Sequence, residues 1–217
     1  GLSCTACASY QGRYDYLTMR LNAQGYSVYR FDHRGHGRSK GTKVFYSAFD
    51  EIAKDIDVVV DRAIAETPSP RCSSWAIPWA ATARRCNGHL HPGKVDGYVL
   101  SGAWTRDNKG LGTGAVEADA PDLAYMPNEL GDGVCSDPSV GEAYMADPHV
   151  IKEMSFGLFR ALHKGHAWMR ENASRFVDPR AHSARRGTMA WWPRKTALSS
   201  TSKLPRGIKA CAFTPVS

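Results

Sequence analysis

Residues 26–39 read Tyr26-Ser27-Val28-Tyr29-Arg30-Phe31-Asp32-His33-Arg34-Gly35-His36-Gly37-Arg38-Ser39, a short aromatic and β-branched run that breaks into a loop rich in charge and glycine. Ser27 to Phe31 is the pattern of a short strand rich in aromatic and β-branched residues. Upstream, Tyr14, Leu17 and Leu21 recur at helical spacing over Tyr14 to Ala23, and Gly25 ends that helix. Downstream, a helix is predicted from Ser47 to Glu66, with Ser47 and Asp50 as its capping pair. Phe49, Ile52, Ile56, Val59, Val60 and Ala63 fall on one face of it. Lys94-Val95-Asp96-Gly97-Tyr98-Val99-Leu100-Ser101-Gly102 then carries a buried parallel-strand candidate, Gly97 to Ser101. Strand, helix, strand in this cadence predicts an α/β fold with a mostly parallel sheet flanked by helices.

These stretches resemble the α/β-hydrolases of the monoacylglycerol lipase and lysophospholipase group, a serine aminopeptidase-type branch, over residues 13 to 66 and 93 to 179. Asp32, His33, Arg34, Gly35, His36, Gly37 and Ser39 match that family's D-x-R-G-x-G-x-S loop, which is mainly structural beside the active site. The resemblance implies a Ser-His-Asp acyl transfer from an ester to water, on a small lipid or ester substrate and with no cofactor. It also implies a helical cap: residues 103–170 break the cadence and are rich in Asp, Gly and Pro. Cys135-Ser136-Asp137-Pro138-Ser139-Val140 followed by Tyr144-Met145-Ala146-Asp147-Pro148 looks like the family's cap pattern. Ordinary turn chemistry in a surface insertion accounts for the same composition. Helix is expected from Asp147 through Met154 and on to Met169. Three parts are therefore anticipated: residues 1–102 as the N-terminal part of the core, 103–170 as cap, and 171–217 as a remnant of the C-terminal core.

Between the two matched strands the family has a strand running into G-H-S-M-G, where a sharp strand-to-helix turn exposes the nucleophile. This chain has Arg71-Cys72-Ser73-Ser74-Trp75-Ala76-Ile77-Pro78-Trp79-Ala80-Ala81-Thr82 there. Because Trp is TGG and Ala is GCN, a Trp-Ala pair read from the third base always gives the glycine codon GGC. Trp75-Ala76 and Trp79-Ala80 stand four residues apart, the glycine spacing of G-x-S-x-G. Between them, GCC ATT CCA TGG reads His-Ser-Met in the shifted frame. The glycines are forced by the code, and the intervening letters are permitted by it.

Both ends behave alike. Ser3-Cys4-Thr5-Ala6-Cys7-Ala8-Ser9 permits the family's His-Gly oxyanion loop in a shifted frame. Ala181-His182-Ser183-Ala184-Arg185-Arg186 permits L-I-L-H-G-A, and Thr188-Met189-Ala190-Trp191-Trp192-Pro193-Arg194-Lys195 permits D-D-G-L-V-A-E-K. The chain therefore reads as frame-slipped in three segments, about 1–10, 68–90 and 180–217. On this account no catalytic residue is present. The serine codon falls across Ile77 and Pro78, the acid codon across Thr188 and Met189, and the histidine beyond Phe213-Thr214-Pro215-Val216-Ser217.

Charge agrees with that division. The chain holds 28 Lys plus Arg against 21 Asp plus Glu, but residues 180–217 carry eight basic residues and 70–92 carry Arg71, Arg84 and Arg85, with no acid in either stretch. Without those 11 the balance is 17 basic to 21 acidic, a net of −4. Cys4, Cys7, Cys72, Cys86 and Cys211 also fall in the slipped stretches, and only Cys135 in the matched body. A lone Cys4-x-x-Cys7 is weak evidence for a redox or zinc half-site.

No residues replace the missing machinery by pattern. Ser73 and Ser74 lack flanking glycines, and His33/His36 and His163/His166 have no carboxylate or Cys partner at metal-ligand spacing, so solvent-facing histidines are expected. The segment 68–90 is expected to be irregular, because Pro78 belongs on an edge or in a bulge and Arg84 and Arg85 stand where small residues should pack on the sheet. Residues 181–217 are expected to be irregular as well, leaving an incomplete sheet. No charged leader with an apolar core and no run of 18 apolar residues is seen, which predicts a cytoplasmic protein without a membrane span. Two function classes follow: an acylglycerol or lysophospholipid hydrolase inactive as written, or a non-catalytic binding protein whose basic tail contacts nucleic acid or anionic surfaces. The tail has little aromatic and basic interleaving apart from Trp191-Trp192, so nucleic acid is not the expected partner.

Overall fold

A computed structural model of the chain describes residues 2–4, 9–67, 72–76, 78–101, 113–128, 137–178 and 180–183. Five parallel strands form one sheet: β1 (Leu2–Cys4), β2 (Tyr29–Phe31), β3 (Ser73–Ala76), β4 (Gly97–Ser101) and β7 (Arg180–Ser183), in the order β2-β1-β3-β4-β7. A second, two-stranded sheet pairs β5 (Tyr125–Pro127) antiparallel with β6 (Glu153–Ser155). The helices are α1 (Asp15–Asn22), α2 (Glu51–Glu66), α3 (Pro78–Leu90), α4 (Thr113–Glu117), α5 (Pro138–Ala146) and α6 (Phe156–Glu171). Short 3₁₀ turns precede α1 at Gln11–Tyr14 and follow α6 at Ala173–Arg175.

The order reverses at β1: the chain steps to β2 on one side, then crosses back to β3 on the other. Such a switch point opens a crevice at the carboxyl ends of the strands, the usual place for a ligand in an open α/β sheet. The core under the sheet joins Ile56, Val60 and Ala63 of α2 to Ala83 of α3, Val95, Tyr98 and Leu100 at β4, and Phe176. A second cluster runs from Val44 and Tyr46 to Ala115, Met154 and the first half of α6 through Leu158, Phe159 and Leu162. The second half of α6 returns to the core, where Met169 packs with Ala53 and Cys86.

Several expectations hold in outline and shift in detail. Helix α2 begins at Glu51 rather than Ser47, and neither Ser47 nor Asp50 caps it by a side chain. Instead the Glu51 carboxylate reaches back to accept the backbone N–H groups of Ser47 at 2.8 Å and Ala48 at 3.4 Å. Helix does not run from Asp147 to Met154: Asp147 turns the chain, accepting the His149 N–H at 2.9 Å, and Glu153–Ser155 pairs as β6 before α6 starts. Ser155 caps α6, its Oγ accepting the Leu158 N–H at 3.1 Å.

Segment 68–90 departs from expectation over its described part. Ser73–Ala76 is an interior parallel strand in register with both β1 and β4, and Pro78–Leu90 is a 13-residue helix. Pro78 is not in the strand. It stands first in the helix, where its missing N–H costs no ladder bond and its fixed φ suits the first turn. Residues 181–183, within the stretch expected to be irregular, extend a strand from Arg180 that pairs with β4 from Tyr98↔Arg180 to Ser101↔Ser183. Residues 184–217 lie outside the described residues.

Candidate functional site

At the carboxyl end of β2 the loop Asp32–Ser39 is tied down almost entirely by its own polar groups. Asp32, 5 % exposed, accepts the Gln11 N–H on Oδ1 at 2.6 Å and the Arg38 N–H on Oδ2 at 3.0 Å, while its carbonyl accepts Ser39 Oγ at 2.6 Å. One carboxylate thus holds the residues after β1 against the loop after β2. Gly37, at φ +48°, lies so close to the Asp32 carboxylate that a Cβ would collide with it; Gly35, at φ +67°, abuts the Thr42 carbonyl. These are the two positions where the motif needs glycine.

Arg34 leaves the loop to make a forked pair with Asp55 of α2 (Nε–Oδ2 2.7 Å, Nη2–Oδ1 2.6 Å) and a third bond to Glu51 Oε1 at 3.1 Å. The Asp55 hydrogen bond raises the guanidinium's affinity for its proton. Burial works against ionisation of Glu51. The N–H groups of Ser47 and Ala48, with Arg34, outweigh it and hold that carboxyl below its ordinary range. His33 and His36, expected to face solvent, are each 2 % exposed. Their rings meet edge to face at 6.0 Å, His33 also meets Phe31 at 5.0 Å, and His36 Nδ1 lies 2.9 Å from the Arg34 carbonyl. Burial lowers the His36 pKa, so the imidazole is held neutral. His166 is likewise buried, with its ring 6.3 Å from that of His163. No group of three or more His, Cys, Asp and Glu side chains able to hold a metal occurs among the described residues.

The strand-to-helix corner of β3 and α3 opens on the same end of the sheet. Ile77 lies outside the described residues, between Ala76 at the end of the strand and Pro78 at the start of the helix. Ser73 is exposed and Ser74 fully buried, and both precede the corner within β3, so neither stands at the turn. Thr188 and Met189 lie outside the described residues, as do Cys7, Cys135 and Cys211. Cys86 is buried and its thiol is pushed up to about 12 by desolvation, the opposite of an activated nucleophile.

The sequence reading missed a cluster joining the segment after β1 to the loop after α5. Asp147 takes Arg13 Nη1 at 3.4 Å, the Tyr10 and His149 rings meet at 4.8 Å with a 35° tilt, and Arg13 lies 5.1 Å over the Tyr144 ring. Burial opposes the Asp147 charge, but the His149 N–H, the Tyr10 hydroxyl and Arg13 together hold its carboxyl below the ordinary value. The Asp147-Pro148-His149 turn was the available signal. A second tie runs from Ser155 Oγ to the Val44 carbonyl at 2.5 Å. Val44 is fully buried at φ +46°, a conformation a β-branched residue adopts only when its surroundings impose it.

Similarity to known proteins falls on this same scaffold. The chain is 33% identical over 168 residues to a monoacylglycerol lipase of Mycolicibacterium smegmatis, an alignment that takes in 71% of this chain and 58% of that protein. The chain therefore spans under two thirds of the length of that relative. Among solved structures, the monoacylglycerol lipase of Paleococcus ferrophilus superposes with a TM-score of 0.70 at 21% identity, covering 84% of this chain and 72% of the other. A soluble variant of monoglyceride lipase from Saccharomyces cerevisiae gives 0.67 at 17% identity, covering 83% and 66%. Both share the α/β-hydrolase fold with this chain. A family model described as "Serine aminopeptidase, S33" matches residues 4–181, and on that extent of match the chain belongs to that α/β-hydrolase family.

Proposed function

We propose that this chain derives from a serine hydrolase of monoacylglycerols or lysophospholipids, read out of frame in three segments, and that as it stands it does not catalyse. The observation that carries this is the β3–α3 corner. It is the strand-to-helix turn at the centre of the sheet, beside the switch-point crevice, and the codons permit Gly-His-Ser-Met-Gly from Trp75 to Ala80. With Ile77 and Pro78 in place of the serine there is no hydroxyl to attack an ester, and no pair of glycines to let the turn present one. The acid codon would fall across Thr188 and Met189. Residues 103–170 would serve as the cap over the acyl chain of a small lipid or ester substrate; among the described residues no helix is long and apolar enough to cross a membrane.

Two experiments test this. The purified chain should neither label with a fluorophosphonate probe nor hydrolyse short-chain nitrophenyl esters or monoacylglycerols above background; stoichiometric labelling of any serine refutes it. Sequencing the coding DNA across the codons for Ser9, Arg71, Asn87 and Arg180, then restoring the frame in a gene that encodes the family's histidine, should yield an esterase labelled in Gly-His-Ser-Met-Gly. DNA that cannot be read as that motif in any frame ends the frame account. A binding role for the basic tail predicts instead salt-dependent retention on nucleic acid or anionic vesicles that is lost on removing residues 184–217.

A further inference from the structure

Helix α5 is attached to the rest of the chain by very little burial. Of its nine residues only Tyr144 is buried, whereas α6 buries eight of its 16, so α5 depends on a few side-chain contacts. The chain around it is held in two different ways. Beyond the Asp147–His149 turn it runs into β6 and a closed anchor: Ser155 Oγ donates to the Val44 carbonyl at 2.5 Å, and both residues are fully buried. On the paired strand the Tyr125 hydroxyl donates to the Lys43 carbonyl at 2.9 Å. The other attachment lies nearer water. Arg13, from the 3₁₀ turn after β1, meets the Asp147 carboxylate at 3.4 Å and lies 5.1 Å over the Tyr144 ring, and the two side chains of that ion pair keep 25 % and 16 % of their surface exposed. Beside them the Tyr10 and His149 rings meet at 4.8 Å.

We propose that α5 and the Asp147–His149 turn form a strap that swings open on the Ser155–Val44 anchor while the rest of the chain stays folded, and that Arg13 is its catch. Segments open separately when few buried contacts hold them. Here those contacts converge on one guanidinium, which touches both the single buried side chain of α5 and the carboxylate that ends the helix. The strap stops at the turn, because Val150 and Ile151 just beyond it are buried. Asn128 Nδ2 donates to the Tyr144 hydroxyl at 3.2 Å and to the Ile151 carbonyl at 2.7 Å, so opening exchanges the longer bond for water and keeps the shorter. Tyr10 and Arg13 belong to the segment that leaves the carboxyl end of β1, on the rim of the switch-point crevice. Asp32 fixes that segment through the Gln11 N–H at 2.6 Å, so the catch stands on a rigid post. Entry to the crevice thereby becomes a conformational step. The strap needs no catalytic group and stands apart from the hydrolase reading and the frame account.

Backbone hydrogen–deuterium exchange of the whole chain tests this, with residues 142–147 compared against α2 and α6. In the wild-type chain residues 142–147 should exchange more slowly than an unstructured peptide but faster than the middles of α2 and α6. Their exchange should also depend less on low concentrations of denaturant, the mark of an opening that exposes little surface. Arg13→Met keeps a stem of similar length without the charge and should speed exchange there by about five- to tenfold, with α2 and α6 unchanged. Asp147→Asn keeps an acceptor for the His149 N–H, so the turn remains, and should speed it by about two- to threefold. Combined with Arg13→Met it should add little, since the two changes remove one shared contact. Exchange of residues 142–147 at the rate and denaturant dependence of α2, or at the rate of an unstructured peptide, overturns the strap. An unchanged rate in Arg13→Met, or a rise shared equally by α2, overturns the catch.

Discussion

Arg34 and Arg84 are the same side chain in two parts of one molecule, and their surroundings are opposite. Arg34, in the loop after β2, spends its donors on two carboxylates with three bonds of 2.6–3.1 Å and keeps 37 % of its side chain in water. Arg84, on α3, is wholly enclosed and bonds to nothing. Burying a guanidinium is tolerable when partners replace its water and costly when they do not. The loop is a motif whose members fit one another. Helix α3 is formed by residues of adequate propensity, Ala80, Ala81 and Ala83 among them, whose polar members are matched to the core only in places. Asn87 is such a place: its Nδ2 donates to the Ala53 carbonyl at 3.2 Å and its Oδ1 accepts the Tyr98 hydroxyl at 3.2 Å, tying α3 to α2 and β4.

The largest effect that would sharpen this contrast is a gain. Arg84→Met replaces a buried guanidinium without hydrogen-bond partners by an apolar side chain of similar length and should stabilise the chain by about 3 kcal/mol. Denaturant midpoints measure it, and a loss of stability would show that the guanidinium is satisfied after all. The reverse change in the loop should be a loss. Arg34→Met strands Asp55 and Glu51, and with the pair partly screened by water the cost should be about 1–2 kcal/mol.

Gly35→Ala attacks the loop through its backbone. The new Cβ would meet the Thr42 carbonyl at a residue already at φ +67°, and destabilisation of about 2 kcal/mol is expected. Gly25→Ala is the control: φ there is +82°, but nothing lies within 4 Å of the added carbon, so only the conformational part, about 1 kcal/mol, should appear. Equal losses at the two glycines would mean that the loop's close packing contributes nothing.

The elements legible in the sequence are those where pattern and local chemistry agree. The face Ile52, Ile56, Val59, Val60 and Ala63 identified α2, and the apolar run Gly97–Ser101 identified β4. Strand β3 is hidden because a run of four residues carries almost no period, and because Pro78, which argues against a strand, opens a helix instead. Strand β6 was hidden for a different reason: Glu153-Met154-Ser155 continues the helical spacing of α6, and only its partner β5, distant in sequence, makes it a strand. In the site, Asp32, Gly35 and Gly37 could be read because the loop matches the family's D-x-R-G-x-G-x-S pattern. The contact of Tyr10 and Arg13 with Asp147 and His149 could not, since no local pattern announces a pairing across 134 residues. Burial of His33 and His36 escapes the sequence because polar loop residues usually face water, whereas here the loop folds both imidazoles inward, His33 edge-on to Phe31 and to His36.

That burial has the smallest and most specific consequence. His36 is enclosed, and its pKa lies below the ordinary 6.5 because desolvation disfavours the imidazolium more than the Arg34 carbonyl and Asp32 favour it. In the unfolded chain the same group takes up a proton as pH falls through its ordinary value. Between the folded and the unfolded pKa the unfolded state therefore binds more protons, so stability falls as pH falls below about 6.5 and is insensitive to His36 above it. Replacing it by Asn keeps a polar side chain without a titrating group. His36→Asn should flatten the slope of unfolding free energy against pH just below about 6.5 while leaving the slope above that value unchanged. Acid loss from Glu51 and Asp147, whose carboxyls are held below their ordinary values, belongs to a lower range, near and below about pH 4.5, and should persist in the variant. An unchanged slope just below 6.5 in His36→Asn would show that the loop does not hold this histidine neutral, and that the inward face of the motif is less closed than that of α3.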